Sequence, residues 1–285
     1  MRDRSTQIRR VLLGLLVANL VVVGAKFFIG IASDSLAVLG DAVHSTVDAS
    51  NNILALAVMA IAAKAADEDH PYGHGKFETL GALAIVVFLS ISGFELIKGA
   101  ITRLVMGSEP IVMSNLQLGL LIGTLGVNTF VAWYETRAGK RLNSDILLAD
   151  ATHTRADVFI TIGVIASVLL TRAGVSQADP VVALIVAGVI VWLAYGIIRR
   201  SVPVLVDQHA LPARQIRGTA EAVTGVTKAY HIRSRATSEA TFVELTIAVD
   251  GSASVEAAHA IADHVEDRLR AELAFTEITV HVEPC

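Results

Sequence analysis

The sequence predicts an α-helical membrane protein with six transmembrane helices, followed by a small soluble domain at its C-terminal end. Of its 285 residues, 53% are hydrophobic, and the mean hydropathy of +0.60 is too apolar for an ordinary soluble domain. Each of six apolar runs approaches or exceeds the ~20 residues that cross about 30 Å of hydrocarbon. The runs cover roughly 11–32, 36–63, 79–105, 111–134, 146–171 and 181–198.

The basic residues at the helix ends set the predicted orientation. They lie in the N-terminal segment and in the connections after helices 2, 4 and 6, whereas the opposite connections share one Arg. By the positive-inside rule both termini are cytoplasmic. The first run is too long for a signal-peptide core and lacks a cleavage site, so it is a retained helix. We predict an N-terminal segment over 1–10, a membrane domain over 11–204 and a cytoplasmic domain over 205–285.

An eight-residue pattern occurs twice in the membrane domain. Residues 41–48 read D-A-V-H-S-T-V-D in helix 2, and residues 150–157 read D-A-T-H-T-R-A-D in helix 5. Because residues four apart share a helix face, His44 lies with Asp48, and His153 lies with Asp157. With the predicted orientation all four residues fall near the membrane midplane. Antiparallel packing of the two helices therefore brings two imidazoles and two carboxylates together.

Two His and two Asp side chains suit a tetrahedral divalent metal site. Zn²⁺ is the first candidate, and Co²⁺, Fe²⁺ or Cd²⁺ are also possible. Without metal the imidazoles can accept protons, which suggests exchange of metal for protons. The alternative is a set of polar contacts that hold helices together. Two matched pairs at one depth favour the functional interpretation, since ionisable residues inside a membrane are costly.

The sequence resembles the cation diffusion facilitator family over nearly its whole length. The resemblance rests on the two HxxxD pairs, on the segment DEDHPYGHGKFETLGAL and on the C-terminal HVEP. It implies a homodimeric secondary transporter of the cell membrane that exports divalent metal in exchange for protons by alternating access. It also implies that the two HxxxD pairs form the transport site. Within the family, His-containing sites are associated with zinc and all-Asp sites with manganese, which favours Zn²⁺ and leaves Mn²⁺ possible.

The resemblance assigns further roles near the cytoplasmic side. Asp67, His70 and His74 match a second, loop-borne metal site, although the residues alone fit a solvated loop equally well. Lys76 and Asp207 match a charge link between the membrane and cytoplasmic domains, with a simple surface Lys as the alternative. Around the transport site we interpret three residues as polar neighbours of the ligands or as pathway lining, with direct ligation by either of the two acids as the alternative. The three residues are Asp41, Asp150 and Asn52. We have no account of Arg155.

The C-terminal region alternates between helical and strand patterns. Helical spacing over 211–224 and 254–273, with strand alternation over 226–235, 241–250 and 275–283, predicts an αββαβ domain. This order resembles a metallochaperone-like fold. Its exposed sheet face and last helix collect four residues that match the family's regulatory metal site, whereas ordinary surface residues are the alternative. The four are His231, His259, His281 and Glu283, and Thr246 replaces a family His ligand.

These patterns are compatible with three classes of function. A metal/proton antiporter that exports zinc accounts for the midplane quartet, and a non-transporting metal sensor or scaffold is the alternative. An intramembrane metalloenzyme is disfavoured because the chain has no H-E-x-x-H motif and no evident catalytic base. The net charge of −4, without a basic tract, gives no indication of nucleic acid binding. Cys285, the single cysteine, excludes an internal disulfide and a thiolate metal site.

Overall fold

The computed structural model describes residues 2–32, 36–107, 115–175 and 178–285. The chain divides into two compact units, Met1–Ser201 and Val202–Cys285. The first unit contains six long helices, and the second contains two short helices and a sheet. The helices of the first unit are α1 (Arg2–Ala32), α2 (Leu36–Ala62), α3 (Lys76–Met106), α4 (Asn115–Arg141), α5 (Asp145–Arg172) and α6 (Ala178–Leu205).

The long helices confirm the predicted helical membrane domain. Among the described residues, four spans are long and apolar enough to cross a membrane: Asp3–Ala25, α3, α5 and α6. Helices α2 and α4 each contain 27 residues, and at about 1.5 Å per residue they are also long enough to cross. Helix α1 begins at Arg2, so the predicted N-terminal segment over 1–10 is helical, and the predicted domain bounds stay a prediction.

The core of the membrane unit depends on close helix approach. Helices α2, α3 and α5 meet around Gly81, where an added Cβ would lie 2.6 Å from Val58 Cγ1 and 3.0 Å from Ile146 Cδ1. Small residues let backbones approach in membrane proteins, where packing rather than water exclusion holds helices together. The fully buried Ile85 and Leu89 continue this contact along α3.

A buried acid joins three helices at one end of the unit. Glu78, on the first turn of α3, is fully buried, and its carboxylate accepts hydrogen bonds from Arg4 of α1 at 3.3 and 3.0 Å. It also accepts a 2.5 Å hydrogen bond from the hydroxyl of Ser144. Ser144 caps α5, accepting from the Leu147 N–H at 3.4 Å. The first turns of α3 and α5 are thereby fixed together.

A second hydrogen bond connects α3 to α5 through the residues that follow Glu78 and Ser144. Thr79 donates a 3.1 Å hydrogen bond to Asp145, the first residue of α5. The opposite carboxylate oxygen of Asp145 accepts from Arg200 of α6 at 2.9 Å. Charged groups buried in this way persist only when they are paired and hydrogen-bonded. We call these six residues the polar network: Arg4, Glu78, Thr79, Ser144, Asp145 and Arg200.

The second unit has the predicted αββαβ order. Strands β1 and β2 are antiparallel, whereas β2 and β3 are parallel and connected through α8. Helix α7 contacts β1 and α8 contacts β3, and Ile216, Val265 and Leu269 of the helices are buried in one cluster with the alternate β2 residues Val243 and Ile247. The elements are α7 (Ala213–Glu221), β1 (Lys228–Ala236), β2 (Thr241–Val249), α8 (Val255–Leu273) and β3 (Glu277–Pro284).

Candidate metal centres

The second HxxxD pair lies together on a mostly buried face of α5. His153 is 7% exposed, and its Nε2 lies 3.8 Å from Asp157 Oδ2, one helical turn further on. The His153 Nε2 is also 3.1 Å from the side-chain amide of Asn51 on α2. The imidazole and the carboxylate therefore point to the same region between α5 and α2.

Asn52 of α2 holds the acid that precedes this pair, and Asn19 of α1 holds Asn52. Asn52 donates to Asp150 at 2.9 Å and accepts from Asn19 of α1 at 2.7 Å. Asn52 and Asp150 are both buried. Their role beside the transport site stays a prediction. Asn51, which contacts His153 directly, was not singled out from the sequence, because only i, i+4 spacing from the HxxxD pair was considered.

The side chains of the first HxxxD pair, His44 and Asp48, lie outside the described residues, as does that of Asp41. The backbone of α2 still gives the register. Asn52 meets Asp150, and the preceding Asn51 meets His153, so the two helices run antiparallel. Position 48, one turn before Asn52, is therefore level with residues 153–157 of α5.

A third acid near α5 comes from α4 and was missed in the sequence. Glu135 is 2% exposed and accepts a 3.1 Å hydrogen bond from Thr154, the residue after His153. Asp150, Asp157 and Arg155 are close enough to interact with it electrostatically. A single Glu near a helix end gives no repeat or spacing signal, which is why sequence reasoning passed over it.

The structure also places Arg155. Its Nη2 donates a 2.5 Å hydrogen bond to the hydroxyl of Thr136 on α4. The guanidinium therefore extends toward α4, on the side of Glu135. This direction explains how a cation can be tolerated between His153 and Asp157 in the sequence.

The loop before α3 brings its three predicted ligands together. Asp67, His70 and His74 each offer a donor atom, and these atoms lie within 4.8 Å of one another; we call them the loop triad. Asp67 Oδ1 is 3.0 Å from His70 Nδ1, and Asp67 Oδ2 is 3.3 Å from His74 Nε2. Two imidazoles and a carboxylate are common Zn²⁺ ligands.

Local contacts orient the loop triad. His74 is 5% exposed, and its Nδ1 lies 3.2 Å from the carbonyl oxygen of Ala65, which favours the tautomer with Nε2 available to a metal. Desolvation opposes ionisation of Asp67, but hydrogen bonds from the His70 N–H and ring, with the charges of both imidazoles, lower its pKa overall. The carboxylate therefore remains ionised at neutral pH, as a metal ligand must.

The C-terminal unit presents His231 and His281 on the sheet face opposite the helices. They line an open cavity together with Arg233, Glu244 and Thr246. His281 Nε2 is 3.5 Å from Glu283 Oε1. His259 instead lies 78% exposed on α8, where it approaches Asp263 at 3.8 Å. In the described part of the chain, the four predicted ligands are therefore divided between the open sheet face and the helical layer.

A β-bulge changes this sheet face from the sequence-based expectation. Pairing slips between Tyr230 and Arg233, and His231 adopts a φ of 50°. The extra residue turns Tyr230 and His231 toward the same face, where the Tyr230 hydroxyl donates to Glu283. Strict alternation along β1 would instead put these two neighbouring side chains on opposite faces of the sheet. That hydrogen bond is the main cause of the raised pKa of Tyr230.

The two members of the predicted charge link lie in different units. Asp207 follows α6 with a φ of 54° and approaches Arg235 of β1 at 3.5 Å. Lys76 begins α3 and is half-buried. A link between Lys76 and Asp207 stays a prediction, and Arg235 would compete for the same carboxylate.

Comparison with known proteins identifies the family. Residues 12–206 match the cation efflux transmembrane domain, and residues 212–285 match the cation efflux protein cytoplasmic domain. The chain belongs to the cation diffusion facilitator family. Members of this family are transporters, not enzymes, and they export divalent metal cations. The protein is thus a multi-pass membrane protein whose C-terminal domain is cytoplasmic.

Three relatives of this cation diffusion facilitator are similar to it over most of their length. An uncharacterized transporter of Methanocaldococcus jannaschii is 30% identical over 90% of this chain and 90% of its own length. The manganese efflux system protein MneP of Bacillus subtilis is 29% identical over 91% and 90%. The cation-efflux pump FieF of Cronobacter sakazakii is 29% identical over 97% and 92%.

Proposed function

We propose that the protein exports divalent metal, Zn²⁺ first, from the cytoplasm in exchange for protons, with His44, Asp48, His153 and Asp157 as the transport site. The observation that carries this proposal is that α2 and α5 run antiparallel with their polar side chains in contact. Buried His153 and half-buried Asp157 share one face of α5, and position 48 on the backbone of α2 is level with them.

The donor set supports zinc over manganese. Imidazole nitrogen suits zinc, cobalt and iron(II), whereas manganese favours carboxylate, carbonyl and water oxygens. The quartet offers two imidazoles. The relative MneP, named for manganese efflux, makes manganese the principal rival. Asn51, beside His153, supplies an amide that fixes the ring or contributes an oxygen, and its part in selectivity can be tested by substitution.

Charge balance at the site supports proton exchange. Without the cation, three carboxylates, those of Glu135, Asp150 and Asp157, would lie close together, with Arg155 as the cation beside them among the described residues. Buried charges of one sign are costly, and protonation relieves that cost. Entry of a divalent cation makes those protons unnecessary, so metal and protons occupy the region alternately. Alternating access of this one site to the two membrane faces then gives antiport.

The remaining assignments complete the proposal. Asp67, His70 and His74 would hold a resident zinc ion, which would bridge the loop to the first turn of α3. His231, His281 and Glu283 would contribute to a second, regulatory ion. Since His259 lies in the helical layer of the C-terminal unit, its role requires a movement or a second subunit. We further propose a homodimer in the cell membrane with both termini cytoplasmic and with a charge link between Lys76 and Asp207.

Transport in reconstituted liposomes tests the proposal. Zinc uptake under an imposed pH gradient is compared between wild type and Asp157→Ala. Asp267→Ala is the matched control, because Asp267 is 77% exposed on α8. We expect uptake to depend on the gradient, to disappear in Asp157→Ala and to persist in the control. Converting one imidazole with His153→Asp should lower the zinc-to-manganese preference by about tenfold.

Each contrary result has a defined meaning. No uptake of zinc, cobalt, iron(II), cadmium or manganese by wild type would exclude the antiporter and favour the non-transporting sensor or scaffold. Zinc uptake that persists in Asp157→Ala would indicate that the ion path does not pass through this site on α5. Uptake that ignores the pH gradient would leave metal transport intact and remove proton exchange.

A further inference from the structure

Glu135 is a buried acid on α4 that is not one of the proposed metal ligands. It is 2% exposed, and its hydrogen-bond partner is Thr154 of α5. In the part of the chain that the structure describes, Glu135 forms no ion pair. An ionised carboxylate in such a place is costly, because neither water nor a paired cation replaces its hydration. Glu135 therefore needs either a bound proton or additional positive charge nearby.

The hydroxyl of Thr154 lies between Glu135 and the backbone of α5. Its Oγ1 is 3.1 Å from Glu135 Oε2 and 3.2 Å from the carbonyl oxygen of Asp150. A hydroxyl donates one hydrogen and can also accept. When Glu135 is ionised, Thr154 donates to it. When Glu135 is protonated, its O–H donates to Thr154, and Thr154 donates to the carbonyl oxygen one turn earlier, as helical threonines can. The same two contacts thus satisfy both protonation states of Glu135.

The charges around Glu135 determine which of the two states is populated. Asp150 and Asp157 on α5 act on it with negative charge, and Arg155 acts with positive charge. The Arg155 guanidinium donates its hydrogen bond to Thr136 and not to Glu135. Helix α1 also contacts α4, but it contributes no charge that acts on Glu135 among the described residues. Without metal, burial and two like charges favour the protonated form.

We propose that Glu135 carries a proton that the protein exchanges for metal, while the metal itself binds at the transport site. A divalent ion held by His153 and Asp157 would lie across α5 from Glu135, about 10 Å away, which is the diameter of a helix with its side chains. At an effective dielectric constant of about 20, its charge favours ionisation of Glu135 by a factor on the order of 100. The O–H bond of Glu135 then breaks, the proton passes to water, and the Thr154 hydroxyl turns to the carboxylate.

This inference rests on the proposed metal/proton exchange and names a residue for the proton. Among the described residues, Glu135 makes no hydrogen bond to either proposed ligand on α5. Metal and proton therefore exclude one another through charge at a distance, and they do not compete for the same atom. Such a separation lets the site keep all its ligand atoms for the metal while a proton is still carried in exchange.

Titration calorimetry with Zn²⁺ on the full-length protein in detergent micelles tests this assignment. Titrations in buffers of different ionisation enthalpy give the number of protons released per zinc ion bound. We expect Glu135→Gln to release about one proton fewer than wild type, because its amide has no proton to lose. Glu256→Gln is the matched control, since Glu256 is an exposed acid on α8, and it should release as many protons as wild type.

Infrared difference spectra upon zinc binding observe the carboxyl group directly. We expect wild type to lose the carbonyl band of a protonated carboxylic acid and Glu135→Gln to lack that band. Thr154→Val should shift the band, because it removes the hydrogen bond to the acid. Glu135→Asp keeps an ionisable group at this position and should recover the proton release, which separates loss of the proton from misfolding of the variant.

The two measurements also separate this inference from the transport proposal. Equal proton release by Glu135→Gln and wild type, or an infrared band that zinc leaves unchanged, would overturn the role of Glu135. So would a loss of protons in Glu256→Gln as large as that in Glu135→Gln. If wild type releases the Glu135 proton on binding zinc but takes up no zinc in liposomes, only the transport proposal is contradicted.

Discussion

The pair formed by Arg4 and Glu78 provides the sharpest test of how the membrane unit is held together. The Glu78 carboxylate is fully buried, and the Arg4 side chain is 18% exposed. Arg4 also donates to the carbonyl oxygens of Leu142 and Asn143 at 2.8 and 2.9 Å, between α4 and α5. Removing one partner of a buried ion pair costs about 3–5 kcal/mol, because it leaves a charge without compensation. Since Arg4 is partly exposed, we expect Arg4→Ala to lose about 3 kcal/mol of unfolding free energy.

Reversible unfolding in mixed micelles, followed by circular dichroism, measures this loss. Arg10→Ala is the matched control, because Arg10 is an exposed arginine on the same helix, and it should stay within about 0.5 kcal/mol of wild type. The double variant Arg4→Met with Glu78→Met removes both charges and should be less destabilised than Arg4→Ala alone. Equal stability of Arg4→Ala and Arg10→Ala, or a double variant with a lower unfolding free energy than Arg4→Ala, would refute the reasoning.

Three further predictions concern other parts of the chain. Gly81→Val should cost about 1–3 kcal/mol by forcing α2 and α5 away from α3, measured by the same unfolding assay, while Gly123→Val, with open space around its Cβ, should not. Asp250 accepts from the N–H and hydroxyl of Ser252, which lower its pKa, so its stabilising effect is present above the ordinary value of 3.8 and lost as pH falls through the lowered pKa. Hydrogen exchange of the C-terminal unit should therefore separate Asp250→Ala from wild type at pH 7, and the difference should vanish in acid. His70→Ala should reduce the zinc bound per purified chain by one ion, by elemental analysis, and an unchanged zinc content would exclude the loop triad as a metal site.

Much of the fold could be predicted because periodicity reports local structure directly. The apolar runs gave the membrane helices, and the alternation over 241–250 gave a strand at Thr241–Val249. The i, i+4 spacing of His153 and Asp157 also gave their shared face, which the structure bears out in their 3.8 Å separation. A helix has one geometry, so spacing along the sequence becomes position in space without further information.

Contacts between different helices could not be predicted from the spacing of residues along the sequence. The burial of Glu135 against Thr154, the direction of Arg155 toward Thr136 and the contact of Asn51 with His153 each depend on how two helices are rotated against one another. The spacing of residues along one helix carries no information about how that helix is rotated against its neighbour.

The sequence alone determined the membrane class, the αββαβ order and the HxxxD face of α5, because each follows from a repeat along one chain segment. The tertiary structure decided which groups share the low-dielectric interior: Glu78 with Arg4, and Asp150 with Asn52. It also decided the sheet face of the C-terminal unit, where one bulge at His231 turned Tyr230 toward Glu283. The physical reason is that burial and pairing energies depend on distances between segments, and close packing fixes those distances only once all segments are in place.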